Sequence, residues 1–236
     1  KPLLRLLAAA PGPLPEDLAV EIIGCDTEAL HSTGLRLGSD IVSAPYGLEL
    51  FHKTLREWLT HRADNRFWVD AEMGRQLIAD ALFTELDKSG NSYLLRWRKL
   101  IIEWLPGLLA SAVQKGSPER FKKLGDVLMD LWQYATAERL YREALRLQRV
   151  TLPAGHSGIA RSIADLAKLL LATGRHNEAE PLYLEAIALL RNNTQNNPIE
   201  LAQCLQGLGE LMHFNYEEAE PLFREALTLR RTALSA

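Results

Sequence analysis

His52 stands near the head of FHKTLREWLTHR, residues 51–62. Phe51, Leu55, Trp58 and Leu59 fall on one helical face, and a helix that buries this face turns His52 away from its own core. A ring N–H at a helix N-terminus would add a donor to backbone amides that already favour an anion; the alternative is a histidine packed or solvated at a domain boundary. Other reactive constellations are missing from the sequence. There is no HExxH, no GxSxG, no GxxxxGK[ST] phosphate loop and no pair of carboxylates with a supporting histidine. Cys25 and Cys204 lie far apart, with no CxxC and no His/Cys cluster, which argues against a zinc site or a disulfide framework and for a reducing, cytoplasmic setting. His156 in LPAGHSG and His176 in TGRHNEAE fall in turns, where a solvated side chain is expected. No catalytic residue, metal ligand or cofactor is assigned to this segment, so an enzyme is not expected.

Charge narrows the partners. A formal net charge of -3 with interspersed signs gives no pull toward nucleic acid or an anionic membrane. The most apolar stretch, LIIEWLPGLLASAV at 100–113, is broken by Glu103 and Pro106 and is too short to span a bilayer. The first residue is Lys1, from which a fragment or processed product is expected.

The elements that must position these residues announce themselves by repetition. ATAERLYREAL at 135–145 returns as NEAEPLYLEAI at 177–187 and as EEAEPLFREAL at 217–227. Ala137, Tyr141 and Ala144, then Ala179, Tyr183 and Ala186, then Ala219, Phe223 and Ala226 share the spacing i, i+4, i+7. Small residues let helices approach while the ring fills the space between. A second amphipathic helix precedes each triplet, marked by Leu124 with Gly125, by Ile163, Leu166 and Leu170, and by Leu205, Leu208 and Met212. Each unit is thus a helical hairpin. Ala137 to Ala179 is 42 residues and Ala179 to Ala219 is 40. Deleting two residues inside a helix would rotate the remainder of that helix by about 200°, so the shortening is expected in the turn, where Gly174 has no counterpart in HFNYEEAE.

These hairpins resemble tetratricopeptide repeats of the longer, kinesin light chain kind, whose phrasing is matched by LAKLLLATGRHNEAEPLYLEAI at 166–187. The resemblance implies an α-solenoid with a concave surface, lined by the first helix of each pair, that binds a protein or peptide. By that resemblance the groove-facing candidates are Lys122, Asp126, Arg161, Lys168, Gln203, Gln206 and Glu210. The carboxylate-clamping class of these repeats is a poor match, because Asp126 stands where that class needs an asparagine.

Upstream, LLRLLAAA at 3–10, DLAVEII at 17–23 and a helix capped by Asp26 and running to about Leu37 precede two short strands in DIVSAPYGLELF. Three helices and a hairpin make a winged helix. As a DNA reader it would be poorly equipped: DTEALHSTGLRLG carries only Arg36 as a fixed positive charge, and SAPYG carries none. FHKTLREWL, 51–59, is similar instead to a motif that follows the winged helix of bacterial STAND or NACHT-type signalling NTPases. That resemblance implies that His52 senses the phosphates of ADP held by an upstream nucleotide-binding domain of the same chain. It further implies that exchange of ADP for ATP, and oligomerisation, follow activation of the parent protein.

The expected organisation is mainly all-α: a winged-helix domain at 1–62, a helical connector at 63–116, and a repeat array at 117–236 of about three hairpins, continuing beyond the fragment because no polar capping helix is evident. In the connector a helix is expected after Asp70. A further helix is broken near Pro106, with Trp58, Trp68, Trp97 and Trp104 as core anchors at helix junctions. Ser117 is expected to cap the array, with Pro118 in its first turn. The favoured function is the regulatory, partner-sensing portion of a STAND-class NTPase. The alternatives are a transcription regulator joining a winged helix to repeats, and a cargo-binding scaffold with no nucleotide link.

Overall fold

The computed structural model describes residues 1–37, 41–44, 47–50, 53–61, 69–88, 97–111, 117–192, 197–212 and 215–234. The chain forms two compact units, Lys1–Gly116 and Ser117–Ala236.

The first unit opens with α1 (Pro2–Ala9), α2 (Glu16–Ile23) and α3 (Thr27–Leu37). Gly24 ends α2 at φ 70, a left-handed conformation that costs glycine nothing. Asp26 starts α3, its Oδ1 accepting the Ala29 N–H at 2.6 Å, as its position before an apolar run predicts. Strands β1 (Ile41–Ala44) and β2 (Gly47–Leu50) pair antiparallel, with Ile41 opposite Leu50. On the other edge of β2, Leu14 and Leu48 exchange two backbone hydrogen bonds of 2.8 Å. Gly47 makes this approach possible: at φ 145 it lies so close to the Leu14 carbonyl that a Cβ would overlap it.

Helix α4 (Lys53–Thr60) comes next, and Arg56 reaches the Leu7 carbonyl at 3.5 Å. Leu59 is buried, but Trp58 is 49% exposed. The assignment of Trp58 to the core is therefore corrected. Neighbouring helical residues point about 100° apart, so a stripe centred on Leu55 and Leu59 leaves Trp58 at its edge. Phe51, His52 and Trp68 lie outside the described residues.

Asp70 Oδ1 accepts the Met73 N–H at 3.0 Å and begins α5 (Ala71–Lys88). This helix packs on α1. A Cβ at Gly74 would sit 2.5 Å from the Arg5 carbonyl oxygen, so a side chain there would force the helices apart. The break before α7 (Leu105–Ser111) falls at Trp104, after α6 (Arg98–Glu103), and Pro106 takes the first turn of the new helix, where its missing N–H costs no bond. Trp97 and Trp104 are buried, and Trp97 Nε1 donates to Asp17 Oδ2 at 3.2 Å.

The second unit is three hairpins: α8 (Pro118–Asp130) with α9 (Tyr134–Thr151), α10 (Ser157–Ala172) with α11 (His176–Asn192), and α12 (Pro198–Leu211) with α13 (Tyr216–Leu234). Ser117 caps α8 through the Arg120 N–H, with Pro118 behind it. Each hairpin packs on the next through α9 with α10 and α11 with α12. The six alanines of the three triplets are buried, as are Tyr141 and Tyr183. A Cβ at Gly125 would meet the Tyr141 ring at 2.7 Å, so the glycine is what lets the ring lie against α8. Equivalent ion pairs bridge successive hairpins, Arg149 to Glu185 and Arg191 to Glu225, both at 2.8 Å.

The third hairpin corrects one expectation. Leu166 precedes the end of α10 by six residues and Leu208 precedes the end of α12 by three, so the helix is three residues shorter, while the stretch before the next helix is four residues rather than three; the net loss of two therefore falls in the last turn of α12. Met212 consequently falls beyond the helix, while Leu170, its counterpart, is buried within α10. Loss from a helix end leaves the preceding register intact, which satisfies the rotational constraint as well as a shortened turn would. Between α10 and α11, Gly174 takes φ 75, and at the same place between α8 and α9 stands Trp132, at φ 63.

Candidate functional site

The first helices of the hairpins, α8, α10 and α12, present one face to a groove of about 520 Å³. Six of the seven groove candidates line it: Lys122, Asp126, Lys168, Gln203, Gln206 and Glu210. Arg161 lines an adjoining cavity of about 440 Å³ together with Lys122 and Gln203, and pairs with Glu200 of α12.

Lys122 lines both cavities, and its Nζ lies 3.0 Å from Asp126 Oδ2 and 3.1 Å from Asp165 Oδ2. One ammonium therefore serves two carboxylates from two hairpins. The Asp165 contact has ion-pair distance without hydrogen-bond geometry, and that oxygen is buried. Burial pushes the Asp165 carboxyl above its ordinary range, with Lys122 acting against it. Burial also works against the charge on Lys122, but Asp165 and Asp126 outweigh it and hold the ammonium above its ordinary value. The Tyr141 hydroxyl donates to Asp126 Oδ1 at 2.7 Å. Burial first, and then the Asp126 carboxylate, keep that phenol neutral far above its usual range. On the opposite wall Gln206 donates to Glu210 at 2.7 Å and accepts from Arg230 at 2.6 Å. The groove is thus a polar, hydrogen-bonding surface.

Sequence reasoning missed Asp165, Tyr141 and Arg230 as groove residues. For Asp165 a signal was available, since it lies four residues after Arg161 and three before Lys168 on the same helical face. Tyr141 was read only as a packing ring, and nothing in the sequence brings Arg230 of α13 to Gln206 of α12. His156, expected to be solvated, is exposed but also caps α10, its Nδ1 accepting the Gly158 N–H at 3.0 Å. Cys25 and Cys204 are free thiols, and burial pushes that of Cys204 up to about 12. Among the described residues no cluster of His, Cys, Asp or Glu could hold a metal ion, and no helix is long and apolar enough to cross a membrane.

Comparison with known proteins gives this architecture its class. Tetratricopeptide repeat models match residues 120–192 and 201–236, so the second unit carries tetratricopeptide repeats, a fold that presents protein-binding surfaces. Two solved structures show the same repeat fold. The nearly identical TPR-like repeats of a kinesin light chain-type protein of Podosopora anserina align with 75% of this chain and 81% of theirs, at 17% identity and a TM-score of 0.50. BtubC (BKLC) from P. vanneervenii aligns with 77% of this chain and 72% of its own, at 18% identity and a TM-score of 0.53. A STAND protein with a tetratricopeptide repeat sensor from Pyrococcus horikoshii aligns with 98% of this chain and 44% of its own, at 16% identity and a TM-score of 0.43, a similarity too low to bear on function. No curated protein matches the sequence.

Proposed function

We propose that this chain is the regulatory, partner-sensing portion of a cytoplasmic STAND-class signal-transduction NTPase. In this reading the repeat groove holds a segment of a partner protein. The observation that carries it is the groove itself: side chains from three successive hairpins converge on one solvent-filled surface and leave charged and amide groups facing it. A buried core would not keep Lys122, Asp126 and Glu210 at such positions unless the face met water or a partner.

The link to nucleotide rests on the resemblance of FHKTLREWL and on the order of three helices followed by a hairpin, with Leu14 bridging β2 as the third strand of a winged helix would. In that arrangement His52 meets ADP held by a nucleotide-binding domain of the parent chain, and occupancy of the repeats releases the contact. Exchange for ATP and oligomerisation would then ensue.

The test is the nucleotide retained through purification by the parent chain, wild type and His52→Ala. Retained ADP that is lost from the variant supports the link. Nucleotide in neither protein overturns it and leaves the repeats as a scaffold; DNA binding that falls steeply with salt would replace it with the transcription-regulator reading.

A further inference from the structure

We infer that the outer face of α13 pairs with the same face of a second copy of this chain, antiparallel about a two-fold axis at the level of Glu225, so that two repeat arrays form a dimer; this is independent of the nucleotide link.

Exposure is the first reason. At the positions of Phe223 and Leu227, α9 carries Tyr141 and Leu145 and α11 carries Tyr183 and Ile187, and all four are buried. On α13 Leu227 is 50% exposed, and Tyr216, Phe223 and Leu234 are exposed with it. Along this face runs a depression of about 460 Å³ lined by Tyr216, Ala219, Glu220, Phe223, Arg224 and Leu227. These six residues make two overlapping sets spaced i, i+3, i+4, i+7, the four-residue hole that accepts a side chain from a facing helix.

Spacing and charge are the second. Tyr216, Phe223 and Arg230 recur every seven residues, as do Glu220, Leu227 and Leu234, and the two series occupy the a and d positions of heptads. In an antiparallel pair each a residue faces a d residue of the other helix. About a centre at Glu225, Tyr216 then meets the partner's Leu234, Phe223 meets the partner's Leu227, and Arg230 meets the partner's Glu220. Every layer is apolar on apolar or opposite in charge. Parallel pairing would set Arg230 on Arg230 and Glu220 on Glu220, so the charges select the antiparallel arrangement.

Arg230 also decides between a second copy and a stacked hairpin. A hairpin lying on α13 as α10 lies on α9 would cover position 230, which is Gln148 in α9 and Leu190 in α11, both buried. A guanidinium taken out of water there needs a carboxylate. Arg230 is exposed, and one of its nitrogens donates to Gln206 at 2.6 Å. The remainder of its donor fork can serve the partner's Glu220. Glu220 itself pairs with Arg224 one turn on, at an exposed site where a carboxylate accepts a second donor.

Two facing helices cover less than a standard interface, so a micromolar dimer is expected. Sedimentation equilibrium of the 236-residue chain measures it, with circular dichroism as the check that each variant folds. Phe223→Glu should weaken the dimer about 100-fold, because the side chain enters two symmetric layers. Glu220→Arg and Arg230→Glu, both at exposed positions, should each weaken it about tenfold. The double variant Glu220→Arg/Arg230→Glu restores opposite charges in both layers and should return to within about threefold of the wild type. A chain that stays monomeric into the millimolar range overturns the second copy and leaves the face to a stacked hairpin or to a helix of another protein. A dimer indifferent to Phe223→Glu lies elsewhere on the molecule and overturns it as well. Loss in both single charge variants without recovery in the double variant overturns the antiparallel pairing.

Discussion

Tyr141 and Phe223 hold the same place in ATAERLYREAL and EEAEPLFREAL, yet Tyr141 is 2% exposed and Phe223 is 41% exposed. Both rings lie over a glycine of the preceding helix, where a Cβ would come within 2.7 Å of Tyr141 from Gly125 and 2.9 Å of Phe223 from Gly209. The difference lies on the other side of each ring. Helix α10 packs on α9 beside Tyr141, while no helix comes after α13 among the described residues. The repeat motif thus decides which way a ring faces, and a neighbouring hairpin decides whether it is buried.

The largest expected effect tests this contrast directly. Tyr141→Ala removes a buried ring and the hydrogen bond to Asp126, and should cost about 3–5 kcal/mol, whereas Phe223→Ala should cost about half as much because its ring is already partly hydrated. Urea unfolding of both variants measures the gap; equal losses would break the comparison. Next comes the glycine beneath each ring. In an open helix Gly→Ala gains up to about 1 kcal/mol, but Gly125→Ala should lose about 1–3 kcal/mol by driving into a ring held on both sides. Gly209→Ala should be close to neutral, since Phe223 can swing outward. A similar loss at both glycines would mean that Phe223 is held as firmly as Tyr141.

A smaller effect is expected between the first two hairpins. Burial works against the charge on Glu138, but hydrogen bonds from Arg142 and Arg175, both at 2.7 Å, outweigh it and hold its carboxyl below the usual range. A lowered folded-state value means stability that is present above the ordinary value of 4.5 and is lost as pH falls through the folded value. Thermal melts below that pH should show the loss, at most about 1 kcal/mol for so accessible a pair, and Glu138→Gln should flatten it. The smallest effect belongs to Trp132. Replacing it with glycine relieves about 1–2 kcal/mol of left-handed strain and gives back about 1 kcal/mol through the greater freedom of the unfolded chain, so the melting temperature should hold or rise slightly. A marked fall would show that the indole is packed.

Much of this was legible in the sequence because it is local. Asp26, Asp70 and Ser117 cap the helices they precede because a short side chain needs only the next few residues to find its N–H. The hairpins were legible because the small, aromatic, small triplet recurs at helical spacing. Trp58 was misread because the width of a buried stripe is set by what packs on it, and the two-residue shortening was placed in the turn because a helix end and a turn satisfy the same rotational constraint.

The sequence by itself determined the repeats and the facing of their triplets, since each arises from periodicity within a single helix, while the groove candidates on α8, α10 and α12 were implied by the resemblance to tetratricopeptide repeats. Only the tertiary structure decided that Asp165 of one hairpin shares Lys122 with Asp126 of another, that Tyr141 closes this cluster from α9, and that Arg230 reaches Gln206. Such contacts join side chains of different helices. Their distances are set by how the hairpins stack, which no spacing along the chain encodes.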